Sequence, residues 1–504
     1  MAIVINGTSS AVALISDTNN VGLGTNAVDS ITTGDHNTGI GVNSLTANTE
    51  GSSNVAMGRE SLDANTTGNE NTGIGYQALT SNTTASGNTA LGNKALQQST
   101  TAGYNVAVGW EAMKATTTGG YNVAVGYQAM VANTTGGNNV SIGDSSMEAN
   151  TTGNNNVAVG RGAFTVNTTG SANTAVGKGS LDANTTANHN TALGYIALGG
   201  NSTGTQNTAL GSEALENNTT ANNNVAVGYG ALKTNTTGSE STAVGTEALE
   251  NQTTATNNIG IGFNALRQAT TGGESVAVGT YALDAMTTGN KNVSVGVQAQ
   301  GHITTGIQNV GVGWKAGHLS TTGEKNTFVG TSAGATITTG SSNICIGNQA
   351  GGQITATNQT LWIARDESQP HNSAVWIHGD STGRCYQGNN SSSWGTSSDE
   401  RIKKDIVDSP DGLAKIDAVK VRNFNYRTQD EITVDGLTGC DAEGLQTGVI
   451  AQELEGVLPK AVTANEKGQK QVSTDPIFWA MVKAIQELSA KNDALEARIT
   501  TLEG

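Results

Sequence analysis

Seven aromatic residues each directly follow a glycine in a recurring phrase: Tyr76, Trp110, Tyr127, Tyr195, Tyr229, Phe263 and Trp314. Exposed rings stack on sugar faces, so Trp110, Tyr127 and Trp314 are candidates for a glycan-binding stripe. The plainer reading is that such rings cover corners of the fold. Glu111, Glu213, Glu247 and Asp144 are the acids that polysaccharide cleavage would need as a close pair, but they are scattered along the chain. The six histidines have no metal-ligand spacing. Cys345, Cys385 and Cys440 form an odd set, expected as buried or free thiols, and neither metal nor cofactor is expected. A formal net charge of −16 argues against a nucleic-acid partner.

These residues are set in a repeat. Gly24, Gly41, Gly58, Gly75, Gly92 and Gly109 open a series that reaches Gly330 and Gly347, with a step of 17 residues through 20 copies and no insertion. The unit reads N-[VT]-A-V-G-x-x-A-L-x-x-N-T-T-G-x-x. Position two is β-branched and position four aliphatic in every copy, while position three is small until Phe328 and Cys345. Alternation over so few residues predicts a short strand with one branched, apolar face and one face open to close approach. The invariant glycine then turns the chain through a conformation that a Cβ forbids. A second short segment, small then large, comes next, and an NTTG-like stretch returns the chain. The NTT triplets are read as turns and not as glycosylation sites.

A fixed period of this length means a solenoid: a mainly β rod of parallel rungs stacked about 4.8 Å apart, roughly 90 Å long. Asn stands at position one in 18 copies, with Ser241 and Ser275 the exceptions, and in-register stacking predicts an amide ladder. With Gly at 67 residues, aromatics at 4% and charged residues at 13%, each rung has little to bury and needs neighbours. The small residues at positions three and eight are expected to pack between chains. From Gln300 the large residue at position nine becomes polar or Gly (Gly317, Gly334, Gly351), and Ile303, Ile337 and Ile354 supply an apolar group three places later.

Residues 1–19 carry neither a secretion leader nor an apolar span and are read as an attachment segment; 20–356 form the rod and 357–398 a β connector. In the connector, "TLWIAR" and "SAVWIHGD" predict two strands about a polar turn. Charge then becomes dense over 399–504. Here a helix is expected over 412–416, a strand over 418–426, and strand end, short helix and strand within "GVIAQELEGVLPKAV". The last segment predicts a helix capped by Asp475, with Pro476 in its first turn. Phe478, Met481, Ile485, Leu488, Asn492, Leu495, Ile499 and Leu502 form its coiled-coil seam.

"SSDERIKKDI", "FNYR", "GVIAQELEGVLPKAV" and the terminal heptads together resemble the C-terminal intramolecular chaperone domain of phage tail fibres and tailspikes, the peptidase S74 family. The resemblance covers roughly Ser398–Gly504. It implies a homotrimer whose small α+β chaperone domain drives fibre folding and then cuts itself off at the Ser398–Asp399 bond, with Ser398 as nucleophile and Lys403 as base. Ser397 also precedes that bond, and Lys404 is a second candidate base. A lysine can activate a serine hydroxyl once burial lowers its pKa. The repeats are similar to the head repeats of trimeric adhesins, which form β-rolls. The implied protein is a virion tail fibre made in the host cytoplasm, held at its N-terminus by tail or baseplate proteins and able to meet a host surface glycan or protein. The alternatives are an uncleaved fibre, a bacterial trimeric surface adhesin and a polysaccharide-cleaving tailspike.

Overall fold

The computed structural model describes residues 12–15, 19–364, 375–381, 385–387, 404–427, 431–432, 444–464 and 468–503. The chain divides into two compact units, Met1–Ser393 and Trp394–Gly504.

The first unit is a β-solenoid. Strands run from β2 (Asn20–Leu23) and β3 (Thr38–Ile40) to β21 (Ile344–Ile346), one per rung. Each pairs in parallel with the next at the 17-residue offset, as in Val106↔Val123, Ala107↔Ala124 and Val108↔Val125. The register continues one strand further, to β22 (Leu361–Ala364), where Ile344 meets Leu361. There β22 turns into an antiparallel pairing with β23 (Val375–Gly379), which pairs in turn with β24 (Cys385–Gln387). This is the hairpin expected from the alternating connector strands. At the other end β1 (Val12–Ile15) closes the stack by pairing antiparallel with β2.

Each strand stops after three residues because the glycine after it is left-handed, as at Gly160 with φ of 135°. A Cβ there would lie 2.7 Å from the carbonyl carbon and oxygen of Gly177 in the next rung, so glycine is required by both the angle and the stacking. The segment after the glycine is a run of turns and not a second strand. Its corners are made by left-handed residues at positions seven and nine, for example Gln77 (φ 55°) and Leu79 (φ 54°). That conformation is unusual for leucine. It turns the side chain into the rung, where Leu79 is fully buried.

The inside of the rung differs from the expectation. Position three and position eight, Ala107 and Ala112 for example, have no exposure within a single chain. They are therefore core, not surfaces between chains. The rung is so thin that only small groups fit opposite the one large side chain at position nine. The branched residues at positions two and four point outward, and Leu91, Ile142, Leu193 and Leu210 are between 40% and 45% exposed.

Polar ladders hold the stack. At position one, the Asn122 backbone N–H donates to Asn105 Oδ1 (2.9 Å), and the Asn122 Nδ2 donates to the Gly136 carbonyl (2.9 Å). The expected amide ladder is thus present, fully buried. A second ladder, not anticipated, runs up position twelve: Asn65 Nδ2 donates to Asn48 Oδ1 and Asn82 Nδ2 to Asn65 Oδ1, both at 2.8 Å. Where Ser241 shortens the first ladder, Gln252 from the second reaches across to it. Its Nε2 donates to Ser241 Oγ (3.2 Å), and its Oε1 accepts from Asn258 Nδ2 (3.0 Å).

The apolar core runs from Val28 to Ile303 and a second stretch runs from Ala316 to Ala364, with the buried Gln300 in the last rung of the first. In the second stretch Phe328 replaces the small residue at position three. Its ring fills the space above Gly317 and Gly334, where a Cβ would collide with it, and Ile337 is fully buried. The late change of pattern is therefore an exchange of which position supplies the bulk.

The second unit has its own small core of Leu454, Leu458, Ala461 and Ala480, surrounded by Ile416, Val419, Val449, Val457, Val462, Val472 and Ile477. Its elements are α1 (Leu413–Ala418), β25 (Arg422–Phe424), β26 (Gln446–Gly448), α2 (Ala451–Glu455), a 3-10 turn at Pro459–Ala461, β27 (Val462–Ala464), β28 (Lys470–Val472) and α3 (Thr474–Glu503). The helix and strands expected in this region are present, with the strand after α1 shorter than anticipated.

Candidate functional site

Ser398, Asp399 and Lys403 lie outside the described residues, as does Ser397. The first described residue after them is Lys404, which is exposed. Further along the chain the second unit forms a packed scaffold. Glu487 on α3 accepts the backbone N–H of Leu413 at 2.9 Å, satisfying one of the free donors that open α1. Arg422 and Glu453 form a two-pronged pair at 2.9 and 3.1 Å that ties β25 to α2. This pair holds Glu453 below the ordinary carboxylate range. Leu454 and Leu458 then fix "GVIAQELEGVLPKAV" in the core.

Helix α3 begins at Thr474, one residue before the expected cap. Asp475 consequently sits in the first turn, where a carboxylate meets the positive end of the helix dipole. Among the described residues, α3 fully buries Ala480 and Ala484 and packs Ile477 against the core. Phe478, Met481, Ile485, Leu488, Leu495, Ile499 and Leu502 are all exposed, from 47% to 83%. The seam residue Asn492 donates along its own helix, to Glu496 Oε1 at 3.1 Å. Within one chain the small face of the helix is packed and the large apolar face is bare.

Along the rod, Trp110, Tyr127 and Trp314 are about half exposed. Trp110 and Tyr127 occupy the same position in successive rungs, linked by the Gln128 N–H donating to the Trp110 carbonyl at 2.9 Å. Trp314 stands far along the rod, with Lys315 Nζ over its ring at 4.6 Å. The structure therefore brings together two of the three candidates. A stacked pair missed from sequence, Tyr104 and Tyr121, has ring centroids 5.1 Å apart at the position before the ladder asparagine. The 17-residue spacing of the two "GYNVAVG" phrases was the signal for it.

The four acids are each engaged with a cation. Glu111 contacts Lys114 (2.8 Å), Glu213 contacts Lys233 (2.8 Å), Glu247 contacts Arg267 (3.4 Å) and Asp144 contacts Arg161 (3.5 Å). Hydrogen bonds from Lys114 and Gln128 hold Glu111 below its usual pKa, and Lys233 does the same for Glu213. A general acid in glycoside cleavage needs the opposite shift. Among the described residues no group of three or more His, Cys, Asp or Glu is placed to hold a metal, and no helix is long and apolar enough to cross a membrane.

Residues 398–463 match the family model described as the chaperone of endosialidase, peptidase S74. No solved structure matches the chain. The matched stretch contains Leu454, Leu458 and Ala461 of the second unit's core, while Ala480 of that core lies beyond it on α3, and the stretch begins at the candidate nucleophile. Behind its rod of stacked 17-residue rungs, then, the chain carries a chaperone-of-endosialidase domain.

Proposed function

We propose that the protein is a homotrimeric fibre of a phage virion, a structural and host-attachment appendage whose C-terminal domain drives trimer folding and then cuts the chain between Ser398 and Asp399. The observation that carries this reading is the family match over 398–463, which follows the solenoid and its connector in the sequence. The apolar seam of α3, exposed among the described residues, supports it, because a helix that leaves such a seam outside its own core is suited to meet copies of itself. In the proposed reaction the Ser398 Oγ of one chain attacks the Ser398 carbonyl of a neighbouring chain in the trimer and displaces that chain's Asp399 nitrogen. Lys403 accepts the hydroxyl proton and passes it to that leaving amine, and water then hydrolyses the resulting ester. The N-terminal segment is proposed to join tail or baseplate proteins. The rod is proposed to present Trp110, Tyr127 and Trp314 to a host surface glycan or protein.

The test is the mass of the purified full chain and of its Ser398→Ala variant. Wild type is expected to release a C-terminal fragment beginning at Asp399, while the variant stays whole and still sediments as a trimer. A wild-type chain that remains intact removes the cleavage and leaves an uncleaved fibre. A monomer removes the fibre reading.

A further inference from the structure

In every rung, positions two and four face away from the core. Position four is Val, Ile or Leu in every rung but one, where it is Met57, and position two is Val or Ile in twelve copies and Thr in eight. A sheet face turned to water ordinarily alternates to polar residues. This face does not. The charged residues of the repeats stand at positions six, seven, ten, fourteen, sixteen and seventeen, and none stands in the first five. Leu91, Ile142, Leu193, Leu210, Ile261 and Ile346 mark the stripe, each between 39% and 45% exposed.

We propose that this uncharged aliphatic stripe is the surface along which copies of the chain pack, each rung against the same rung of its neighbours. The proposal rests on the trimeric reading above and names the contact that reading requires. Three features of the stripe select a second copy as the occupant. The stripe runs the length of the rod with two part-exposed side chains in each of 20 rungs, where a standard specific interface takes about 20–30 residues from each partner. A monomer rarely exposes more than a few hundred Å² of continuous apolar surface. The stripe also repeats at the strand spacing of about 4.8 Å along the whole rod, and an identical rod in parallel supplies apolar groups at that spacing. Finally, the stripe lacks charge, so rods of net negative charge meet where they do not repel. A three-fold axis along the rod sets each rung at one height in all copies, and a residue of the stripe then faces its own counterparts.

The experiment uses the full chain with Leu193→Cys, compared with Asp182→Cys at an exposed position ten and with the unsubstituted protein. Sedimentation gives the assembly state, maleimide labelling the access, and mild oxidation before a non-reducing gel the proximity. The expected result is a trimer in which the Leu193→Cys thiol labels about tenfold or more slowly than the Asp182→Cys thiol, as for a group reached only by local opening. That thiol should also cross-link to its counterpart, while the thiol at position 182 does not. A trimer in which both thiols label equally fast and neither cross-links overturns this interface and leaves the fibre reading standing. A monomer overturns both.

Discussion

Asn156 makes bonds to three levels of the stack. Its N–H donates to Asn139 Oδ1, its Nδ2 to the Gly170 carbonyl, and its Oδ1 accepts the N–H of Asn173, all at 2.9 Å. Asn156→Ala leaves the buried Asn173 N–H without its partner, a cost of about 1–3 kcal/mol, while the Gly170 carbonyl keeps the Asn167 Nδ2 at 3.1 Å. Asn156→Ser is expected to cost less, because Ser275 shows that a hydroxyl still accepts the next rung's N–H, at 3.2 Å. The check is hydrogen exchange at the Asn173 amide with denaturant melting, ranked wild type, serine, alanine. This ladder was legible because asparagine recurs at one position with almost no substitution. The second ladder was not. Its column mixes asparagine with Ser99, Thr116 and Gln252, and the NTT triplet has the chemistry of a turn.

The strand of each rung could be located from the alternation, though shorter than the pattern, yet its inward face was misjudged. Alternation distinguishes two faces without saying which is inside. The usual assumption that large apolar groups go in fails where the interior admits only Ala107, Ala112 and one larger side chain, Met113. The rungs around Phe328 obey the same volume rule by another route. Phe328→Ala is expected to destabilise the rod by about 3–5 kcal/mol through the cavity it opens. Adding Gly317→Leu and Gly334→Leu should recover much of that loss, since other rungs carry leucine at this left-handed position. Thermal melting of the single and triple variants measures both effects. Recovery no better than with either glycine replaced in the Phe328 background would show that the exchange of bulk is not real.

For the whole molecule, the rod and its domain order were readable from period and composition, whereas the cleavage residues came from a resemblance of motifs and the glycan stripe from residue type alone. Spacing did place Trp110 beside Tyr127, because residues one period apart are stacked neighbours. Cys345 offers a probe of the solenoid's far end. Burial pushes its thiol up to about 12, so the reactive thiolate is nearly absent at neutral pH. A thiol reagent is expected to leave Cys345 unmodified in the folded protein and to modify it as denaturant opens the last rungs, with peptide mapping identifying the site. Prompt native modification would mean that this end is open.

The glycine column has a consequence for how such a molecule changes length. Strand carbonyls and amides are matched to counterparts one period away, so a single inserted residue would throw the pairs that span it out of alignment. Seventeen at a time, however, can be gained or lost at almost any joint without disturbing either side. Reach is therefore adjustable only in whole notches of about 4.8 Å, like a ruler cut at its marks.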